Sequence, residues 1–330
     1  MATFAVIGAT SWGVTLASLL AGAGHSVYLA CRSAEEVALV QSKRGLARLP
    51  EVELPRLAVP VMEAEVGAVR GIIAAVPAQS LRATLIRVPW PRDVPLLVAS
   101  KGIDLTGDKL LPEVLVELGW ESRLVGVLSG PNLAHEVAKG LPTASVVASE
   151  DLDAAALWQG SLSSEAFRVY TSSDVTGVAL GGALKNVIAI ATGVAKGLGY
   201  GTNSVATLMT RGLAEMLRLG VAMGADPLTF QGLAGVGDLA ATCFSDLSRN
   251  HRMGTLLARG LGVEGALKEV GETVEGVATA PVAVRVAANH RVELPICEAV
   301  AGVVSGKLTI AEAAPALLRR PFAAEARSDL

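Results

Sequence analysis

Between Ala2 and Cys31 the chain carries no aspartate, glutamate, lysine or arginine. Such a stretch passes a hydropathy test for a signal or membrane segment. It lacks the basic leader of a signal peptide, however, and Gly, Ser, Thr and His interrupt the apolar run. A buried parallel strand followed by a packed helix accounts for the same hydrophobicity. The expectation is therefore a soluble, cytoplasmic protein with no stable membrane insertion. Cysteine is scarce too: Cys31, Cys243 and Cys297 form no CxxC and are odd in number, which suits a reducing compartment better than a disulfide framework. The four histidines, His25, His135, His251 and His290, show no ligand spacing, so no metal is expected. There is no Lys/Arg run and the formal net charge is -3, so a nucleic-acid partner is not expected.

What the chain does have is length and apolar material. Its 330 residues, 51% hydrophobic with 35 glycines, suffice for two cores. Short apolar runs lie at 3–7 (TFAVI), 26–31 (SVYLAC), 71–76 (GIIAAV), 95–100 (PLLVAS), 123–128 (RLVGVL) and 143–148 (TASVVA). Amphipathic segments alternate with most of them, the first at 11–23. Strands apolar throughout and alternating with helices predict a parallel sheet covered on both faces. From about residue 174 strand signals nearly vanish and Gly/Ala-rich helical stretches take over. The predicted class is α/β, an N-terminal Rossmann-like doubly wound sheet with a C-terminal all-helical domain. A dinucleotide-binding domain is expected over 1–173 and a helical substrate domain over 174–330, with the tail at 323–330 frayed.

The stretch FAVIGATSWGVTLASLL joins the first strand to the first helix through a glycine-rich turn. In a dinucleotide cradle the first glycine permits the turn and the last lets helix pack on strand, while the helix end offers N–H groups to the pyrophosphate. Gly8 and Gly13 stand in place, but Thr10 occupies the middle position, where glycine normally lets the backbone approach the phosphates. A β-branched residue there is expected to weaken the cofactor without abolishing function, its hydroxyl compensating in part by touching a phosphate oxygen. On that expectation Thr10→Gly lowers the cofactor KM. An ordinary strand-to-helix turn is the plainer alternative. At the end of the second strand stands Arg32, where an acidic residue would select NAD and arginine accommodates a 2′-phosphate; an ordinary surface charge is the other reading. Glu35 and Glu36 look like first-turn residues of the next helix.

Four further stretches carry polar chemistry. VASKGID (98–104) puts Lys101 beyond a strand end. SGPNLAHEVAKG (129–140) follows another strand. GGALKNVIAIATGVAKGLG (181–199) sets Lys185 and Asn186 in an apolar helix. GVGDLAATCFSDLSRNHRMG (235–254) combines Asp238 with Ser248, Arg249 and Asn250. In order and spacing these resemble the bacterial NAD(P)-dependent glycerol-3-phosphate dehydrogenases over nearly the whole chain. The shared motifs are G-x-x-SWG at 8–13, SKGI at 100–103, GP-x-x-A-x-E at 130–136, LKN at 184–186, GVGDL at 235–239, SRN at 248–250 and VEG at 274–276. Thr10 departs from the family's usual glycine, and Asn132 stands where Ser or Thr is more common.

The resemblance implies reversible hydride transfer between NADP(H) or NAD(H) and dihydroxyacetone phosphate, giving sn-glycerol 3-phosphate for glycerophospholipid synthesis, by a homodimer. It implies Lys185 as general acid/base. It implies Lys101, Gly130, Asn132, Lys185, Asp238, Ser248, Arg249 and Asn250 around the substrate. It implies Gly8, Thr10, Ser11, Trp12, Gly13, Arg32, Lys101, Ala134, Arg249 and Glu275 around the cofactor. Elementary chemistry agrees: reducing a ketone needs a proton donor at the oxygen, and a phosphate needs several hydrogen-bond donors. Taken singly, each residue has a plainer reading: Lys185 snorkelling to the surface, Asp238 as an N-cap, 248–250 as a polar turn, Lys101 as a loop charge. Two rival functions share these features, a nucleotide sensor without turnover and a related two-domain dehydrogenase of another small keto or hydroxy acid.

Overall fold

The structure, a computed structural model, describes residues 1–318, and the tail at 323–330 lies outside them. The chain divides into two compact units. The first is Met1–Lys101 with Leu111–Ala179; the second is Gly102–Leu110 with the chain from Leu180 onward.

In the first unit, strands β1 (Thr3–Ile7), β2 (Ser26–Cys31), β3 (Ala58–Met62), β4 (Gly71–Ala74) and β5 (Leu96–Val98) precede the short hairpin β6 (Ile103–Asp104) and β7 (Lys109–Leu110), which belongs to the second unit. Strands β8 (Val125–Ser129), β9 (Thr143–Ser149) and β10 (Phe167–Ser172) complete a sheet of order β10-β9-β8-β5-β4-β1-β2-β3. Helices α1 (Ser11–Gly22), α2 (Ala34–Lys43), α3 (Ala78–Arg87), α4 (Leu111–Glu117), α5 (Ala134–Ala138) and α6 (Leu152–Leu162) connect these strands. Successive side chains of a strand face opposite ways, so β1 sends Phe4 and Val6 into one buried cluster and Ala5 and Ile7 into another. Both faces are covered, as a doubly wound sheet requires.

The sheet is not parallel throughout. β8 and β9 pair antiparallel, Gly126 opposite Ser149, and β10 runs parallel to β9. The expected parallel pairing holds from β8 to β3 and is broken only between β8 and β9. The connection from β8 to β9 carries just the five-residue α5.

The second unit is helical apart from the hairpin. It takes in most of α7 (Val175–Gly197), then α8 (Thr202–Ala222), α9 (Asp238–Phe244), α10 (Arg249–Ala258), α11 (Val263–Val270), α12 (Glu275–Asn289), α13 (Pro295–Val304) and α14 (Ile310–Leu318). By length and composition α7 could cross a membrane, yet 94% of its apolar window is buried inside the protein. It packs tightly against α10. A Cβ on Gly193 would lie 2.0 Å from the His251 carbonyl oxygen, and one on Gly254 would lie 2.0 Å from that of Ile190. Backbone therefore meets backbone at this crossing, which sets the first half of α10 beside the C-terminal half of α7. The hairpin is clasped to α12 by Asp108, whose carboxylate accepts from Arg285 Nε at 2.9 Å and Nη2 at 2.5 Å.

Glu215, buried on α8, accepts from the amides of Ile296 (2.6 Å) and Cys297 (3.2 Å) at the start of α13. Burial outweighs those bonds and nearby Arg218, pushing the carboxyl up from 4.5 to about 7. The folded protein thus keeps a proton that the unfolded chain releases between those two values. This contribution to stability is complete below the unfolded value and is lost as pH rises through about 7. Glu215→Gln has no such proton to lose, so it should gain on the wild type by up to about 3 kcal/mol across that interval. Thermal melts of both proteins over the same pH series check this; parallel curves would mean that Glu215 stays ionised.

Candidate active site

In the first unit the expected cofactor residues gather at the carboxyl ends of parallel strands. Gly8 takes φ +104, and a Cβ there would sit 2.7 Å from Val76 Cγ1; a Cβ on Gly13 would sit 2.0 Å from the Gly8 carbonyl oxygen. Both positions need glycine. Thr10 does not, since its φ of -85 and ψ of 166 are ordinary extended backbone. Thr10 is the N-cap of α1. Its Oγ1 accepts from the Gly13 amide at 2.9 Å and donates to the Ala75 carbonyl at 2.7 Å. The hydroxyl's one proton goes to Ala75. The amides of Ser11 and Trp12, first and second in the helix, project from its end.

Arg48 was not singled out by the sequence, yet it braces the same loop from the other side. Its Nη2 donates to the Ala9 carbonyl at 2.9 Å and its Nε to Ser11 Oγ at 3.2 Å. Arg32, 76% exposed at its side chain, follows β2 with Glu36 at 3.9 Å. Ser33 caps α2 and both glutamates sit in its first turn, as the sequence predicts. Lys101 donates to the Gly130 carbonyl at 3.0 Å and to Asn132 Oδ1 at 2.7 Å, so these three residues form one cluster. Asn132 in turn donates to Ser145 Oγ at 3.3 Å. Ala134 opens α5 just beyond.

In the second unit Lys185 is only 7% exposed and Asp238 only 1%. The ammonium donates to Asp238 Oδ1 and, at 2.9 Å, to Thr242 Oγ1. Thr242 passes its own proton to the Asp238 carbonyl at 2.6 Å. Lys185 therefore does not snorkel, and Asp238 is no N-cap, the cap being Gly237. Thr242 was missed, although its i+4 spacing puts it on the same helix face as Asp238. Cys243 is buried beside them, and burial pushes its thiol up to about 12, so it stays protonated.

The polar trio at 248–250 divides. Ser248 Oγ caps α10 by accepting from the His251 amide at 3.2 Å. Asn250 donates to Asn186 Oδ1 at 2.9 Å and accepts from the Gly276 amide at 2.9 Å, tying α7, α10 and α12 together. Only Arg249 extends outward, with Glu272 at 3.8 Å. Glu275 opens α12 one residue before Gly276.

Two family profiles match the chain: the NAD-dependent glycerol-3-phosphate dehydrogenase N-terminus over residues 3–155 and its C-terminus over 174–315. The chain belongs to the NAD-dependent glycerol-3-phosphate dehydrogenase family. Among its relatives is the NAD(P)+ glycerol-3-phosphate dehydrogenase of Halorhodospira halophila, 45% identical over 98% of both chains. That of Moorella thermoacetica is 43% identical over 99% of this chain and 98% of its own. A crystal structure of glycerol-3-phosphate dehydrogenase from Coxiella burnetii superposes with a TM-score of 0.89 at 34% identity, covering 97% of this chain and 99% of that one.

NAD(P) is the cofactor of this family, and the residues present fit it. The Gly8–Gly13 turn leaves no room for side chains where backbone must come close, and it aims two helix-end amides outward. Asp238 and Thr242 explain why a lysine tolerates burial at position 185. Removing either partner would strand the other's charge: Asp238→Ala and Lys185→Met should each cost about 3–5 kcal/mol, whereas the double variant should cost clearly less than their sum. Urea unfolding of the two single variants and the double variant measures this; strictly additive losses would show that the two groups are not held as a buried ion pair.

Proposed function

We propose that this protein catalyses reversible hydride transfer between NAD(P)H and dihydroxyacetone phosphate, forming sn-glycerol 3-phosphate. The observation that carries this reading is the buried Lys185 ammonium, fixed by Asp238 and Thr242. The cofactor supplies the hydride; the chain's own residues bind, orient and move the proton. In ketone reduction Lys185 gives its proton to the oxygen that becomes the new hydroxyl, and in the reverse direction it takes that proton back. Two of its three N–H donors point at fixed acceptors, which leaves the third to meet the reacting oxygen. Lys101, with Gly130 and Asn132, lines the substrate in the first unit. Arg249 and the first amides of α10 hold the phosphate, while Ser248 and Asn250 keep that turn in shape. A sensor without turnover would have no use for this buried acid, and a carboxylate substrate would not need the same set of donors.

Arg32 accommodates the 2′-phosphate of NADPH, beside Gly8, Ser11, Trp12 and Gly13 at the pyrophosphate, with Ala134 and Glu275 completing the cofactor contacts. The enzyme works in the cytoplasm, in glycerophospholipid synthesis, as a homodimer. Exposed Leu198, Tyr200, Phe244 and Leu247 in the helical unit support the dimer.

Loss of reduced-nicotinamide absorbance on adding dihydroxyacetone phosphate tests the reaction. Substrate-dependent oxidation should vanish in Lys185→Ala; cofactor binding without any oxidation would overturn the reading. Arg32→Ala should lower kcat/KM for NADPH by about tenfold or more and leave NADH nearly unaffected. Equal effects on the two cofactors would remove Arg32 from the 2′-phosphate.

A further inference from the structure

We propose that Thr10 is a positioning residue, whose hydroxyl holds the glycine-rich loop in its binding shape before the cofactor arrives. This rests on the reading of that loop as a dinucleotide cradle, and it reverses the sign expected from the missing glycine. Three observations carry it. Position 10 has extended backbone, which a β-branched residue favours and which glycine is not needed to supply. A hydroxyl has one proton and two acceptor sites; here the proton goes to Ala75 and an acceptor site takes the Gly13 amide. The groups it joins are the first turn of α1 and the segment just after β4, and the latter is itself fixed, because the Ala75 amide donates to the Ile7 carbonyl at 2.9 Å.

The loop is therefore tied at several points. The Gly8 amide donates to the Ala30 carbonyl at 2.9 Å, Thr10 reaches Ala75, and Arg48 grips Ala9 and Ser11. Glycine at position 10 would remove both bonds of the hydroxyl and widen the backbone freedom of the turn. The ordering that Thr10 provides in the free protein would then have to be supplied during binding, at the expense of affinity.

The test separates hydroxyl from bulk. Thr10→Ser keeps the hydroxyl and drops the methyl, Thr10→Val keeps the shape and drops the hydroxyl, and Thr10→Gly drops both. Kd for NADPH, by fluorescence titration of each full-length protein, should stay within about twofold for Ser and weaken about five- to tenfold for Val and Gly. Amide hydrogen exchange of the cofactor-free proteins should be faster at Gly13 in Val and Gly than in the wild type or Ser. Tighter binding by Gly and Ser, with Val unchanged, would overturn the proposal in favour of simple obstruction by the side chain. If Val fails to fold, the opposite signs expected for Gly still decide. If the wild type binds neither NADPH nor NADH, the cradle reading itself fails, whereas exchange at Gly13 still reports on the clamp.

Discussion

A lysine ammonium withdrawn from water must find a counter-charge and acceptors within hydrogen-bond distance, and the helical unit is arranged around that demand. Lys185 sits among Leu184, Val187 and Ile188 on α7, all fully buried. Nothing in that apolar helix can neutralise it. The partner comes from α9, which begins at Asp238 and brings Thr242 one turn later. The same crossing of α7 and α10 then places Asn250 against Asn186 and Gly276, so three helices are registered around one buried ion pair.

The sheet-bearing unit solves a different problem. It must keep a tight turn at the start of α1 from wandering. Gly8 and Gly13 make the turn possible, and side chains from distant parts of the chain then hold it: Thr10 on Ala75, Arg48 on Ala9 and Ser11. Similarly, the Lys101 ammonium is held by Gly130 and Asn132.

How much of this can be read in the sequence depends on what each residue's surroundings impose. The central strands β1 and β2 lie where their apolar runs predict them, because burial on both faces leaves no polar residue to blur the pattern. Within the eight-stranded sheet, the two strands absent from the sequence reading are the two at its edges. β3 carries Pro60, which an edge strand tolerates and a central one would not, and β10 alternates with exposed Arg168 and Tyr170. Lys185 and Asp238 could be picked out as a charge in an apolar helix and an acid after a glycine turn. Thr242 and Arg48 could not, since an isolated threonine or loop arginine carries no signal until the fold brings it to its partner. Ser248 and Asn250 show the converse: polarity marks them, but only geometry reveals that their side chains serve the helices around them.

The hairpin Gly102–Leu110 gives the molecule an unusual genealogy. It is translated in the first third of the chain, yet it is grouped with helices made much later, and the residues joined by its clasp, Asp108 and Arg285, are 177 positions apart. Neither compact unit is a continuous stretch of polypeptide. A ribosome that has just finished the sheet still holds a loose strap whose partner does not exist, and the closure it awaits is among the longest the chain makes. Such interleaving resists being cut into separable modules: a fragment starting after the sheet would carry Arg285 without its carboxylate, and the two halves would have to be inherited, expressed and folded together.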